Sequence, residues 1–252
     1  DPLSPLLFVI AMDVLTSIVS KGQEMGVLST MPGCSSMQRI SIYADDVVLF
    51  IRPSLLDLRF VKEAMLIFGT ASGLKINFAK SAAILIREEE GDKELVVAAL
   101  PWKMDKFPCK YLGLPLTLRK QSHVQLSGLV DQLTAALPKW KATKMPKSGR
   151  MLLVQSVLCA IPLHAMMALD LPQKTISAMN RICRSFLWCA ESSSSGGNCA
   201  VAWEAVCAPK WAGGLGMPNL GWMNKAVQAR WPWLQRSDTS RPWAEFDINV
   251  PK

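Results

Sequence analysis

Apolar side chains recur every third or fourth position through the opening of the chain, at Leu6, Leu7, Ile10, Ala11, Val14, Leu15 and Ile18. That spacing predicts a helix from about Pro5 to Ser20. Ser4 stands where its N-cap would be, and Pro5 at its first helical position. Gly22 to Gln38, with its glycines, serines and a proline, reads as loop or short strand. The pattern then changes: Arg39 to Ile51 is rich in β-branched residues around Ala44-Asp45-Asp46, a hairpin signal. Phe60, Ala64, Ile67, Phe68 and Ala71 mark a second helix, stopped by Gly73 near its C-cap. Leu74 to Phe78 and Ala82 to Ile86 read as strands, and Arg87 to Glu94 as a solvated charged turn. A short strand pair follows over Tyr111 to Leu118, kinked at Gly113 and Pro115. Elements intermixed in this way predict an α+β fold, an antiparallel sheet backed by helices.

From Gln121 the period is helical throughout. Leu126, Leu129, Val130, Leu133, Leu137 and Trp140 share one face, followed by stripes over Leu152 to Ile161 and through Ile176, Met179, Ile182, Phe186 and Leu187. Three helices joined by proline-bearing turns predict a small bundle. Met151 to Leu171 is apolar enough to raise the question of a membrane span. Its stripe (Leu152, Leu153, Ser156, Val157, Ala160, Ile161) is one-sided, however, whereas a span is apolar all round, so a buried amphipathic helix is expected and no membrane partner. Ser192 to Gly197 reads as an exposed loop. The expected segments are therefore 1–120, mixed; 121–190, helical; and 191–252, tryptophan-rich. Trp188, Trp203, Trp211, Trp222, Trp231, Trp233 and Trp243 all lie beyond residue 187. Few aromatic and basic positions alternate there, which favours packing of a compact subdomain over base stacking.

Half of the 252 residues are hydrophobic and 19% are charged, a globular composition with ample length for a core. The net charge of +8 is uneven. Residues 1–100 carry 9 Lys/Arg against 12 Asp/Glu, and residues 101–252 carry 19 against 8. A basic half beside an acidic one suits a polyanionic partner. The chain opens on Asp1-Pro-Leu-Ser-Pro with no basic n-region or cleavage site, so a fragment of a longer, non-secreted protein is expected, in nucleus or cytoplasm. Seven scattered cysteines read as reduced thiols. None forms a CxxC pair and no histidine follows Cys207, so zinc is not expected.

The chemistry concentrates at Asp45 and Asp46. Two adjacent carboxylates at the tip of a strand–turn–strand repel each other unless a cation lies between them. Mg²⁺, or Mn²⁺, with substrate phosphates is the usual solution, and nucleotidyl transfer needs such a clamp on its attacking and leaving oxygens. On the tetrapeptide alone an ordinary Asp-rich turn stays equally open. The run Lys139, Lys141, Lys144, Lys147 and Arg150, interleaved with Trp140, fits contact with a phosphate backbone; a solvated lysine face is the alternative.

The order of motifs narrows these alternatives. Asp1-Pro-Leu-Ser-Pro, Tyr43-Ala-Asp-Asp, Gly73-Leu-Lys-Ile-Asn-Phe-Ala-Lys-Ser and Tyr111-Leu-Gly-Leu-Pro-Leu together resemble the palm of a reverse transcriptase, specifically that of plant-like non-LTR (LINE-type) retrotransposons. Pro138-Lys-Trp-Lys, Ser148-Gly-Arg, Phe186-Leu-Trp, Val201-Ala-Trp and Pro209-Lys-Trp-Ala-Gly-Gly-Leu-Gly resemble the family's thumb and post-thumb segments, so the likeness runs over roughly residues 1–243. The resemblance implies RNA-directed DNA polymerase activity on an RNA template and DNA primer, with Mg²⁺ or Mn²⁺ and no clear protein partner. It implies that Asp45 and Asp46 bind the metal and that Tyr43 lies near the nucleotide or primer end. By the same comparison Ser4 and Pro5 line the nucleotide and template pocket, Lys80 approaches the phosphates as a proton donor to pyrophosphate, and Leu112 and Gly113 grip the primer. The family's third catalytic carboxylate precedes the Pro-Leu-Ser-Pro helix and has no counterpart in this chain, so residues 1–252 alone are expected not to polymerise. A non-catalytic nucleic-acid-binding remnant is the alternative, and an unrelated two-metal phosphodiesterase a third reading that the motif order disfavours. Poor solubility is expected if sheet edge and apolar surface are left uncovered.

Overall fold

The computed structural model describes residues 2–31, 38–87, 89–137, 144–191, 199–241, 243, 244, 246 and 248. The chain divides into two compact units, Asp1–Leu118 and Arg119–Lys252.

The first unit opens with helix α1, Ser4–Glu24. Leu3, not Ser4, holds the cap position: it is already in the right-handed helical region, its carbonyl accepts from the Leu7 N–H (3.0 Å), and no side chain caps the helix. The buried face also differs from the expected one. Met12, Leu15 and Val19 are buried, while Leu6 (60% exposed), Leu7, Ile10 (65%) and Val14 face solvent. The reason is that α1 is apolar almost all round, so spacing alone does not select a side; contact with the following hairpin and helix does.

That hairpin pairs β1 (Ile40–Tyr43) with β2 (Asp46–Leu49), antiparallel, Ile40 opposite Leu49 and Ile42 opposite Val47. These four side chains join Met12, Leu15, Val19, Leu28 and Phe68 in one core. Each apolar side chain fully buried there contributes about 1.5–3 kcal/mol. Helix α2, Leu55–Ser72, covers the same core with Phe68 and ends at Gly73 in the left-handed region, φ 73°. Ile67, expected inside, is exposed. A second cluster, Leu58, Val96 and Leu100, is built by α2 and by α3 (Asp92–Ala99), which begins inside the run expected to be a charged turn. Asp92 and Glu94 lie in the first turn of α3, where acids complement the helix dipole.

The expected single antiparallel sheet is replaced by three separate pairs among the described residues. Leu74 to Phe78 is not a strand. β3 (Ala82–Ile84) pairs in parallel with β4 (Lys103–Asp105), and β5 (Cys109–Tyr111) forms a hairpin with β6 (Leu114–Leu116). All are three or four residues long, and Pro101 and Pro108 punctuate the stretch before β4 and β5. Proline lacks the N–H that would extend a ladder.

The second unit is helical. α4 (Ser127–Ala135) and α5 (Lys147–Leu153) both pack on α7 (Gln173–Cys189), whose buried face includes Ile176, Met179, Ile182, Phe186 and Leu187 as the stripe predicts. The expected continuous helix over Met151 to Leu171 is broken. After α5 comes a π-turn, Val154–Leu158, closed by the Cys159 N–H donating to the Val154 carbonyl (2.9 Å), and then α6, Leu163–Ala168. The extra residue per turn rotates the apolar stripe. Val154, Leu158, Ala165 and Met166 are buried, and Leu152, Ser156 and Val157 are not. Cys159 and Cys183 are buried together; their hydrogen bond and burial push the Cys183 thiol up, and burial pushes Cys207 up to about 11. After α8 (Trp203–Cys207) and a short 3₁₀ turn, α9 (Leu220–Ser237) lies on α6 and α7.

Candidate catalytic site

Asp45 sits on the β1–β2 turn and Asp46 opens β2. Tyr43 and Asp46 are register partners, so Ala44 and Asp45 alone make the turn. Ala44 has φ 52°, left-handed backbone that a non-glycine residue adopts at about 1–2 kcal/mol. Alternation puts Ile40, Ile42, Val47 and Leu49 on the core face and Tyr43 and Asp46 on the other. Both carboxylates and Tyr43 are exposed, and neither carboxylate has an ion-pair partner among the described residues. The β5–β6 hairpin repeats this design. Tyr111 opposes Leu114 across a two-residue turn of Leu112 (φ 50°) and Gly113 (φ 82°). Both tyrosines of the chain thus open a turn whose first residue is a non-glycine at positive φ.

The other expected residues are placed as follows. Ser4 and Pro5 are exposed in the first turn of α1. Lys80 is exposed in a turn held by Asn77, whose side-chain and backbone oxygens accept from the Lys80 N–H at 3.3 and 3.1 Å. No ion pair links Lys80 to Asp45 or Asp46 among the described residues. Lys139 and Lys141 lie outside the described residues. Lys144 and Lys147 are exposed, the latter with its Nζ 5.5 Å from the Trp188 ring centre. Arg150 is turned inward and its guanidinium donates to the Phe186 carbonyl at 3.4 Å.

Residues 1–116 match the family of reverse transcriptases, RNA-dependent DNA polymerases. The chain carries a reverse-transcriptase segment. Two of its relatives are proteins of transposable elements. It is 29% identical to the transposon TX1 uncharacterized 149 kDa protein of Xenopus laevis, over 73% of this chain and 13% of that protein. It is 25% identical to the retrovirus-related Pol polyprotein from the type-2 retrotransposable element R2DM of Drosophila melanogaster, over 98% of this chain and 24% of that one. A putative ribonuclease H protein of Arabidopsis thaliana is 25% identical over 52% of this chain and 21% of its own length. The chain therefore spans less than a quarter of each of these relatives.

Reverse transcriptases use divalent metal ions. The hairpin of this reverse-transcriptase segment offers them two adjacent carboxylates, hard oxygen donors of the type Mg²⁺ and Mn²⁺ prefer. Among the described residues no third His, Cys, Asp or Glu joins them in a metal-sized group. The donors fit a divalent ion as a pair of ligands rather than as a full cage.

The sequence reading missed what holds this hairpin. Asp57 is 0% exposed and Arg39 3%, and they pair at 3.3 Å. Asp57 Oδ1 also accepts from the Ser29 N–H (3.0 Å), the Ser29 hydroxyl (2.7 Å) and the Ser54 hydroxyl (3.0 Å), and Oδ2 from the Arg52 N–H (3.2 Å). Arg39 in turn donates to the Ser29 carbonyl at 2.9 Å. Burial pushes the Asp57 carboxyl up, but the hydrogen bonds from Ser29, Ser54 and Arg52 outweigh it and leave the group below the usual carboxylate range. Burial pulls the Arg39 guanidinium down, and Asp57 opposes this. Arg39 immediately precedes β1, its carbonyl accepts from the Phe50 N–H (2.8 Å), and Arg52 lies just beyond β2. One carboxylate therefore ties both ends of the Asp45–Asp46 hairpin to the start of α2. A signal was present: Ser54-Leu55-Leu56-Asp57 is a Ser-x-x-acid capping pattern, and the Asp57 N–H does donate to Ser54 Oγ (3.2 Å).

Proposed function

We propose that this chain is the part of a retrotransposon RNA-directed DNA polymerase that presents Asp45 and Asp46 to divalent metal beside an RNA template and DNA primer. The observation that carries this is the hairpin tip, where the turn residue Asp45 and the first β2 residue Asp46 hold both carboxylates in solvent above a core-anchored hairpin. On this reading residues 1–120 are palm, 121–190 thumb and 191–252 post-thumb, working in nucleus or cytoplasm. Metal bound at the pair would supply charge stabilisation for the attacking and leaving oxygens of nucleotidyl transfer. The chain's own residues would do the positioning. Tyr43, on the same hairpin face as Asp46, would contact the nucleotide or primer end. Lys80, exposed on its Asn77-held turn, would approach the phosphates and return a proton to pyrophosphate. Ser4 and Pro5 would border the template side, and Leu112 and Gly113 the primer.

A second reading has its own observation. Two carboxylates without a third among the described residues favour weak metal binding, as expected of a nucleic-acid-binding element that does not itself catalyse. Both are tested on the 252-residue chain. Manganese titration followed by electron paramagnetic resonance is expected to detect weak binding that Asp45→Asn with Asp46→Asn abolishes; binding indifferent to that double substitution sinks the metal assignment. Primer extension on an RNA template with Mg²⁺ or Mn²⁺ is expected to give no product from residues 1–252 alone. Template-dependent synthesis that the double substitution removes would overturn the second reading and establish the first.

A further inference from the structure

The inner side of helix α9 is mixed: Leu220 is buried, Met223, Val227 and Leu234 are half-buried, and polar groups lie among them. Asn224 donates to Asp170 Oδ1 (3.5 Å), Gln228 to the Met166 and Leu169 carbonyls, and Gln235 to the Ala244 and Phe246 carbonyls (2.7 Å each). The indole N–H of Trp231 donates to the Met167 carbonyl (2.9 Å), and its ring meets Trp243 edge-on at 5.4 Å. The outer side carries Trp222, 71% exposed, and Trp233, 65% exposed. Eleven residues is three helical turns plus about 20°, so the two indoles share one stripe, about 16 Å apart along the axis. Ala226 and Ala229 lie between them, exposed and too small to cover either ring. Two indoles left in water on a helix whose other side is packed form an exposed apolar feature that core packing does not explain. This corrects the expectation that the late tryptophans all serve packing: Trp203 and the Trp231–Trp243 pair do, and the α9 stripe does not.

Charge says what the stripe would hold. Lys225, Arg230 and Arg236 flank it, and α9 contains no acidic residue. The Lys225 Nζ stands 5.6 Å from the Trp222 ring centre. At its N-terminal end the stripe opens on a cleft of about 470 Å³ lined by Trp222, Lys225, Lys120, Asp170 and Asn224. Asp170 is neutralised there by its ion pair with Lys120, which among the described residues leaves Lys225 as the cation facing the cleft. The Oδ1 of Asn224, a residue 4% exposed, has no hydrogen-bond partner among the described residues. Exposed aromatic faces at helical intervals beside cations and without carboxylates are the requirements for stacking unpaired bases while screening their phosphates.

From this we infer that the outer face of α9 binds single-stranded nucleic acid, bases stacking on Trp222 and Trp233 and backbone phosphates passing Lys225 and Arg236. The inference does not depend on the Asp45–Asp46 hairpin. It is tested with the whole 252-residue chain by fluorescence anisotropy of a labelled mixed-sequence single-stranded RNA and of a matched RNA–DNA duplex. Each indole removed is expected to weaken single-strand affinity by about 5- to 150-fold. Trp222→Ala with Trp233→Ala should therefore abolish most single-strand binding while duplex affinity changes less than about two-fold. Lys225→Glu with Arg236→Glu should do the same and flatten the salt dependence. Circular dichroism of each variant is expected to match the parent, since the replaced side chains are exposed. Single-strand affinity at matched ionic strength should be the same with Mn²⁺ and with EDTA, which separates this test from the metal reading. Unchanged single-strand affinity overturns the inference, as does an equal loss on duplex. Loss of binding to phosphatidylserine vesicles with single-strand affinity intact would assign the face to a membrane surface instead.

Discussion

The most consequential residue for the hairpin is not on it. Asp57 receives five hydrogen bonds from four chain segments, and removing its charge leaves Arg39 buried without a counter-ion. Breaking one side of a buried pair costs about 3–5 kcal/mol. Asp57→Asn is expected to lower the urea unfolding free energy of the chain by about that much, and Arg39→Met in the same chain to recover part of it. The pH dependence follows from the direction of the shift. Because the folded carboxyl lies below its unfolded value of about 3.9, its stabilisation is complete above that pH and is lost as pH falls through the folded value. The gap between parent and Asp57→Asn should thus be constant from pH 5 to 7 (roughly the window above both values) and close on acidification below about 4; a gap that widens there would contradict the assignment. The hairpin that carries Asp45 and Asp46 was legible because its signal is local in sequence. The Arg39–Asp57 pair was not, because eighteen residues separate its partners and only the folded chain brings Ser29, Arg39, Arg52 and Ser54 around one carboxylate.

Among the elements, legibility tracked how one-sided each helix is. α7 alternates apolar and polar positions cleanly, and Ile176, Met179, Ile182, Phe186 and Leu187 were read correctly as its buried face. α1 is apolar on every side, so its pattern named a helix but not its inner face. The π-turn at Val154–Leu158 depends on tertiary packing and leaves no periodic trace, and α3 was masked by the acids of its own first turn. The turn after α8 shows a constraint that sequence hints at only through its glycines. A Cβ on Gly214 would lie 2.0 Å from the Ala208 carbonyl oxygen and 2.8 Å from that of Ala205, both backbone atoms that have no rotamer to yield. Gly214→Ala is expected to destabilise the chain by about 1–3 kcal/mol, the range for overpacking. Gly213, at φ 84° with open space where its Cβ would be, should lose only the smaller backbone penalty, about 1 kcal/mol, on the same substitution. Thermal melts of the two variants side by side check the order; equal losses would mean that the turn moves to accommodate the methyl group.

At the scale of the whole molecule the decisive property is the division of charge. The excess cations lie beyond residue 100, while the paired carboxylates lie before it, so on the proposed function nucleic-acid affinity and metal binding would be carried by different stretches of one chain. Which cations are free to meet phosphates was not legible. Arg150 belongs to the basic run by sequence but donates its guanidinium to the Phe186 carbonyl, and Lys120 is held by Asp170, whereas Lys144 and Lys147 are exposed. Binding driven by counterion release reports this difference directly, since each phosphate contact contributes about 0.7–0.9 to the slope of log affinity against log salt. Lys144→Ala with Lys147→Ala should therefore lower that slope by roughly 1.4–1.8 for an RNA–DNA duplex, uniformly across base sequences, because backbone contacts read no bases. Arg150→Ala should leave the slope almost unchanged and instead lower the melting temperature, by loss of its bond to α7. If Arg150→Ala flattens the salt dependence and the lysine pair does not, the side chain that turns inward in the free protein is the one that reaches the duplex.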